Sequence, residues 1–374
     1  MANRSPGEGT IVQRKDGRFQ ASLMVGGKRR TVYGKTKAEA ARKLTDLKKQ
    51  ADRAGGTLPD PGRRTVAELL ALWLETSEPN LKPKTIATYH FFADTYILPT
   101  LSNVRLSRLE PGHLQRLYAV QQAKGHARTA EVLHRILHKA LSLAVMWGWL
   151  AASPADRVVA PKHHSERKEM WTPWQLRAFL KGAQGHWQGP LWLAAIASGC
   201  RVGELLALQW ADVDLAAGCL RVSKSVQPIG GEWVVSTPKT RAGERTISLP
   251  PEGVAALKRQ RSQQAEWRLS AGREWPGGEA VFTMPTGLLI WSSTITRALQ
   301  GQCKRLGLPY LTMHGLLRHL HASLLLSQGV SVPLVSQRLG HANPAITLQV
   351  YAHPLGRGDE QAAVAIGKAL AGVR

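Results

Sequence analysis

The sequence predicts a mainly helical protein with small β elements, an α+β chain, and three observations predict it. Hairpin signals are confined to residues 9–34, apolar residues at three- and four-residue spacing run through residues 65–147, and strand-like runs interrupt an otherwise helical last segment. At 374 residues the chain is long for one domain and suggests two or three.

Residues 9–34 read as three short strands, Thr10–Arg14, Arg18–Val25 and Arg29–Tyr33, joined by Lys15-Asp16-Gly17 and Gly26-Gly27 turns. Thr36 then caps a helix through Gln50, with Glu39 three residues on completing a capping box. A unit this small has a thin core; its expected task is to present Arg14, Lys15, Arg18, Lys28, Arg29 and Arg30. The Gly- and Pro-dense stretch from Gly55 to Gly62 is a linker. Beyond it Thr65 opens a helix whose apolar residues are Val66, Leu69, Leu70, Trp73 and Leu74, and further helices fit Pro83–Tyr96, Glu110–Lys124 and Ala127–Trp147. Pro154, Pro161 and the polar run Lys162–Lys168 form a second linker. After it Thr172 and Pro173 start a helix as N-cap and first helical residue, and Cys219–Val226, Glu232–Ser236 and Arg245–Leu249 read as strands. The expected domains are therefore 1–62, 63–163 and 164–374.

Charge narrows the partner. The chain carries 50 Lys and Arg against 26 Asp and Glu, a formal net charge of +24. The excess is spread, +10 over residues 1–64, +5 over 65–168 and +9 over 169–374. A surface positive in every segment fits a long phosphate backbone touched at several points, each neutralised phosphate adding salt-dependent affinity. The longest apolar run, Leu191 to Ala197, is far short of the ~20 residues that span a bilayer, so no membrane is expected. Cys200, Cys219 and Cys303 are scattered, without the spacing of a disulfide framework or a zinc knuckle. The first residues contain no apolar stretch resembling a secretory signal, and a cytoplasmic location is expected.

Chemistry-bearing residues cluster in the last segment. Arg201-Val-Gly-Glu204 follows Ala197-Ser-Gly-Cys200; Lys239, Arg241 and Arg245 fall between two strand-like runs. Further on stand His314-Gly-Leu-Leu-Arg318-His319-Leu-His321, then Leu339-Gly340-His341, then Tyr351 ten residues later. In that order these motifs resemble the tyrosine recombinase (phage integrase) family. The resemblance extends over all three segments: the N-terminal unit is similar to that family's arm-type or accessory DNA-binding domain, the helical middle to its core-binding domain and the last segment to its mixed α/β catalytic domain.

The resemblance implies a site-specific recombinase that cleaves and rejoins DNA strands through a covalent 3′-phosphotyrosine, integrating or excising a mobile element. It assigns Arg201 and Arg318 to the non-bridging phosphate oxygens, which a guanidinium grips two at a time. Tyr351 is then the nucleophile, Lys239 the acid that protonates the leaving 5′-oxygen, His341 a hydrogen-bonding partner of the scissile phosphate, and Glu204 the residue that orients the site. Arg241 and Arg245 lie in the Lys239 hairpin and are expected to contact DNA. One departure concerns His314, which stands four residues before Arg318 where the family has His-x-x-Arg. Either the helix start bulges around Gly315 to bring His314 into the site, or Gly315 takes the histidine's place.

Double-stranded DNA is the implied partner, with a monomer when free, a homotetramer in the synaptic complex, and accessory DNA-bending or directionality factors. Residues Asp359 to Val373 read as a short amphipathic helix, equally suited to packing on its own domain or docking on a neighbouring subunit. No cofactor is implied, because the ester exchange is nearly isoenergetic. The pairs His134/His138 and His319/His321 have no Cys or carboxylate cluster beside them in the sequence, so no metal is expected either. A DNA-binding protein that keeps the fold without the chemistry is one alternative, motivated by the His314 spacing. A type IB topoisomerase is another, disfavoured because it acts as a monomer on any duplex and needs no small arm-binding domain. Strand cleavage should survive excess EDTA; a requirement for magnesium in the same assay would move the protein to the metal-dependent nucleases.

Overall fold

The computed structural model describes residues 9–25, 27–53, 63–163, 170–237, 243–276, 278–313 and 318–351. The chain divides between Ser165 and Glu166 into two compact units.

In the first unit, β1 (Thr10–Gln13), β2 (Phe19–Val25) and β3 (Lys28–Gly34) form an antiparallel sheet in that order. Gly17, at φ 80°, closes the first turn in a backbone region that a Cβ disfavours. Val25 pairs with Lys28, which leaves two residues for the second. Strand alternation turns Ala21, Leu23 and Val25 toward Ala40, Leu44 and Ala51 of α1 (Lys37–Arg53). Glu39 N donates to Thr36 Oγ1 at 3.1 Å, while the Glu39 carboxylate reaches past the cap to Lys35 N at 2.8 Å. The capping-box chemistry thus forms with its return bond one residue early.

A separate core belongs to α2 (Val66–Ser77), α3 (Pro83–Phe92), α4 (Leu98–Leu101), α5 (Pro111–Ala123) and α6 (Ala127–Met146). Thr65 and Glu68 cap α2 reciprocally, and the five apolar positions read from the sequence, Val66, Leu69, Leu70, Trp73 and Leu74, are all buried. The expected single helix from Pro83 ends at Phe92 and passes through a π turn, Ala93–Ile97, into α4. Pro99 supplies the reason: it lacks an N–H and its ring crowds the carbonyl four residues back, so the ladder widens just before it. In α6 the residues Ala130, Leu133, Ile136, Leu137, Ala140, Leu141 and Ala144 are buried, a stripe at helical spacing. The start of the bundle is pinned where Thr65 bridges Arg105 and the Arg64 guanidinium lies 4.2 Å over the Trp149 ring.

The second unit contains, in chain order, α7 (Pro173–Ala183), α8 (Gly189–Ser198), α9 (Val202–Leu206), β4 (Val213–Asp214), β5 (Cys219–Val222), β6 (Ser225–Ile229), β7 (Glu232–Ser236), β8 (Arg245–Ser248), α10 (Pro251–Ala271), α11 (Ser292–Arg305), α12 (Leu320–Ser327), α13 (Val332–Leu339) and α14 (Pro344–Tyr351). Thr172 caps α7 with Pro173 at its first position. The single strand expected over Cys219–Val226 is two: β5 joins the antiparallel sheet β4-β5-β8, and β6 forms a hairpin with β7. Helix α8 is buried on most sides, and Trp192 lies with Phe179, Leu205, Leu257, Phe282 and Leu299 in the main core. A smaller cluster, Ala322, Leu326, Val335 and Leu339, joins α12 to α13. Among the described residues no helix is long and apolar enough to cross a membrane.

Leu133 is wholly buried in α6 whereas Met146, at its end, is 80% exposed. Leu133→Ala should destabilise the intact chain by about 2–5 kcal/mol, the usual cost of deleting a core side chain, and Met146→Ala by less than about 0.5 kcal/mol. Thermal denaturation followed by circular dichroism checks the difference.

Candidate active site

The site is assembled where several chain turns meet. Helix α8 ends at Gly199, which takes the left-handed conformation at φ 66°; a Cβ there would come within 2.6 Å of His321. The turn that only glycine accommodates delivers Arg201 as the N-cap of α9. Arg201 is half exposed, with 42% of its side chain accessible, while Glu204 one turn on is buried at 4%. Arg201 Nη1 donates to Glu204 Oε1 at 2.6 Å, and its backbone N–H donates to Oε2 at 2.9 Å.

A second guanidinium shares the carboxylate. Arg245 at the start of β8 donates from Nη2 to Glu204 Oε2 at 2.9 Å, from Nε to the Arg338 carbonyl at 2.7 Å and from Nη1 to the Gly243 carbonyl at 3.0 Å. Burial raises the Glu204 pKa, but the hydrogen bond and charge of Arg245, with the N–H and charge of Arg201, outweigh it; the carboxyl stays below its ordinary value and is ionised at neutral pH. Only 7% of the Arg245 side chain is exposed. Its expected place on the DNA-facing surface is therefore corrected: the side chain turns into the domain, because the buried carboxylate and two carbonyls need its donors.

Arg318, 2% exposed, donates from Nη1 to the Gly199 carbonyl at 3.0 Å and from Nη2 to the Leu339 carbonyl at 2.5 Å. Arg318 and His319 lie in a π turn that leads into α12. Helix α13 ends at Gly340, again left-handed at φ 64°, and His341 follows. His341 Nδ1 is hydrogen-bonded with Thr347 Oγ1 at 2.8 Å. Thr347 is fully buried and sits one turn before Tyr351 on α14, so the bond ties His341 to the helix that carries Tyr351. Lys239, Arg241 and His314 lie outside the described residues, as does the side chain of Tyr351.

The neighbouring histidines have structural partners. His321 Nδ1 meets the Ile196 carbonyl at 2.7 Å, and Nε2 accepts from Arg338 Nε at 3.0 Å. Burial, helped by Arg338, Arg318 and Arg245, pushes its pKa to about 4 against the opposing pull of the Ile196 carbonyl, so the ring is neutral with its proton on Nδ1. In the other unit, His138 Nε2 lies 3.1 Å from Asp156 Oδ1, a carboxylate that linear spacing does not bring to mind. Among the described residues no three ligand-type side chains gather as a metal site. Sequence reasoning also missed Arg338, which donates from Nη2 to the carbonyls of Ala197 and Ser248, and Thr347.

On the N-terminal sheet Arg14, Lys15, Arg18 and Arg29 are exposed and Arg30 is half-buried. Arg14 lies over the Tyr33 ring and, with Arg18, within 4 Å of Asp16. Arg29 donates to Ser22 Oγ at 3.1 Å. The side chain of Lys28 lies outside the described residues.

Residues 175–356 match the Phage integrase family, and residues 65–119 match the Phage integrase, N-terminal SAM-like domain. A tyrosine recombinase XerC-like protein of Caldanaerobacter subterraneus subsp. tengcongensis is 30% identical, over 87% of this chain and 88% of that protein. The putative prophage phiRv2 integrase of Mycobacterium tuberculosis is 29% identical over 95% and 94% of the two chains. In fold, the chain is similar to the Tn1549 transposon integrase solved with circular intermediate DNA, at a TM-score of 0.67 and 21% identity over 78% of this chain and 96% of that one. It is also similar to a lambda integrase tetramer bound to a Holliday junction, at 0.60 and 18% over 93% and 96%. With matches in both units and a relative 30% identical across most of both chains, this chain belongs to the phage integrase family of tyrosine recombinases, enzymes that break and rejoin DNA.

Proposed function

We propose that this chain is the integrase of a mobile element, a site-specific recombinase that joins and releases DNA through a 3′-phosphotyrosine at Tyr351. The observation that carries the reading is the gathering of Arg201, Arg245 and Arg318 around Glu204 and the end of α13, with His341 bonded to the helix of Tyr351. Arg201, half exposed, binds a non-bridging oxygen of the scissile phosphate and Glu204 orients it; Arg318, buried with Nη1 and Nη2 on the Gly199 and Leu339 carbonyls, adds its positive charge behind the same phosphate. His341, its Nδ1 edge occupied by Thr347, directs Nε2 to the same phosphate. The Tyr351 phenol loses its proton to solvent as its oxygen bonds to phosphorus; the bond to the 5′-oxygen breaks, and that oxygen takes a proton from Lys239. Attack by a 5′-hydroxyl of the partner strand runs the steps in reverse, so the number of phosphoester bonds is conserved.

His314, four residues before Arg318, is kept in this reading as a further partner of the scissile phosphate. The excess of 24 positive charges supports DNA as the partner along the whole chain. In this reading residues 1–62 bind arm-type DNA through Arg14, Lys15, Arg18, Lys28, Arg29 and Arg30, 63–163 bind the core site and 164–374 catalyse. The chain is a monomer when free and a tetramer at synapsis, acts in the cytoplasm, and works with accessory bending or directionality factors. Among the hairpin residues, Arg241 is kept as a DNA contact.

Two measurements test the chemistry, on a nicked duplex carrying the recombination site, to be sought as a short direct repeat in the DNA that flanks the gene. Tyr351→Phe should form no covalent protein–DNA adduct while binding the duplex as tightly as the parent; an adduct would remove Tyr351 from the nucleophile's role. Lys239→Ala should cleave slowly and be rescued when sulfur, a better leaving group, replaces the 5′-bridging oxygen. Failure of rescue would reduce Lys239 to a phosphate contact.

A further inference from the structure

Glu204 offers one carboxylate to two arginines. If Arg201 and Glu204 were alone, the favoured geometry would be a fork, two parallel N–H···O bonds along one edge of the guanidinium. That pairing would spend an edge of Arg201 and cancel most of its charge. In this structure Oε2 is taken by Arg245 Nη2 and by the Arg201 backbone N–H, both at 2.9 Å, so the Arg201 side chain meets only Oε1. The three groups together keep one net positive charge. Arg245 is almost wholly buried and Arg201 is not, so the charge that reaches the surface is carried by Arg201. Arg245 also fixes the Arg338 carbonyl, next along the chain to the carbonyls of Leu339 and Gly340 that receive Arg318 and Arg201.

We propose that Arg245 is a positioning residue of strand cleavage: by occupying Glu204 Oε2 and the Arg338 carbonyl it limits the Arg201 side chain to a single bond with the carboxylate and fixes the direction in which Arg201 meets the phosphate. This rests on the recombinase reading above and gives Arg245 a task different from DNA contact. Each of its guanidinium nitrogens already has a partner inside the domain.

The test uses the full chain and the nicked duplex, and reads affinity as a function of salt and the single-turnover cleavage rate at saturating DNA. Arg245→Gln should leave the slope of log affinity against log salt unchanged and slow cleavage about ten- to a hundredfold, as for other groups that orient an acting side chain. Arg245→Lys, which reaches one partner but not both, should cleave at an intermediate rate. In a Glu204→Gln background, already slow, the Arg245→Gln change should cost much less, because the carboxylate it restrains is gone. A salt slope reduced by about 0.9 with the saturated rate unchanged would make Arg245 a phosphate contact and overturn the proposal. Equal losses in both backgrounds would overturn it too, since Arg245 would not then act through Glu204. If Arg245→Gln fails to fold by circular dichroism, Arg245→Lys decides: a reduced rate with an intact slope supports the proposal and the parental rate refutes it. A parent chain that forms no adduct would instead sink the recombinase reading, and the proposal with it.

Discussion

Three consecutive carbonyls at the end of α13 hold the site together. The last turn of any helix leaves carbonyls without intrahelical donors, and its dipole makes that end negative. Here those of Arg338, Leu339 and Gly340 accept from Arg245, Arg318 and Arg201 in turn. Buried guanidiniums need acceptors and buried carbonyls need donors, so each solves the other's desolvation cost. The arginines lie 93, 21 and 139 residues along the chain from the carbonyls that receive them, and α13 is where their positions are reconciled. The left-handed glycine that ends α13 is the condition for this, because it turns the chain away and leaves the carbonyls facing inward.

Charge balance in this region is one-sided. Arg201 and Arg245 share the Glu204 carboxylate, the one buried carboxylate among the described residues, while Arg318 and Arg338 are held by the Gly199 carbonyl and His321. The arrangement is tolerable because His321 stays neutral among them. Its pKa is about 4 in the fold against an ordinary 6.5, so the unfolded chain binds more protons between those values. Folding stability from this group is therefore complete above about pH 6.5 and declines as pH falls toward 4. Acid adds a positive charge where the site already has too many.

Local features of the fold were legible, and long-range ones were not. Thr65 with Glu68, the stripe from Val66 to Leu74 and the periodicity of α6 depend on spacings of three and four, which a sequence displays directly. The break in the Cys219–Val226 run does not: β5 is a strand because Arg245–Ser248 pairs with it, and β6 because Glu232–Ser236 does. Resemblance supplied the order of the chemical residues, and the structure brings Arg201, Glu204 and Arg318 together at the end of α13, with His341 next along the chain and bonded to Thr347. It could not reveal that Arg245 points inward, since an arginine in a basic hairpin reads as a phosphate contact until Glu204 and the α13 carbonyls are beside it. Main-chain acceptors have no signature in a list of side chains.

Cys200 sits immediately before Arg201, with Ser198 Oγ accepting its N–H at 3.2 Å. Cationic neighbours usually activate a thiol, yet burial dominates here and pushes the pKa to about 11. At neutral pH only on the order of one molecule in ten thousand carries the thiolate. Oxidants and alkylating agents attack that form, and this sulfur is also sealed from solvent. The residue beside Arg201 therefore behaves as a small apolar plug, its thiol kept from oxidants by burial.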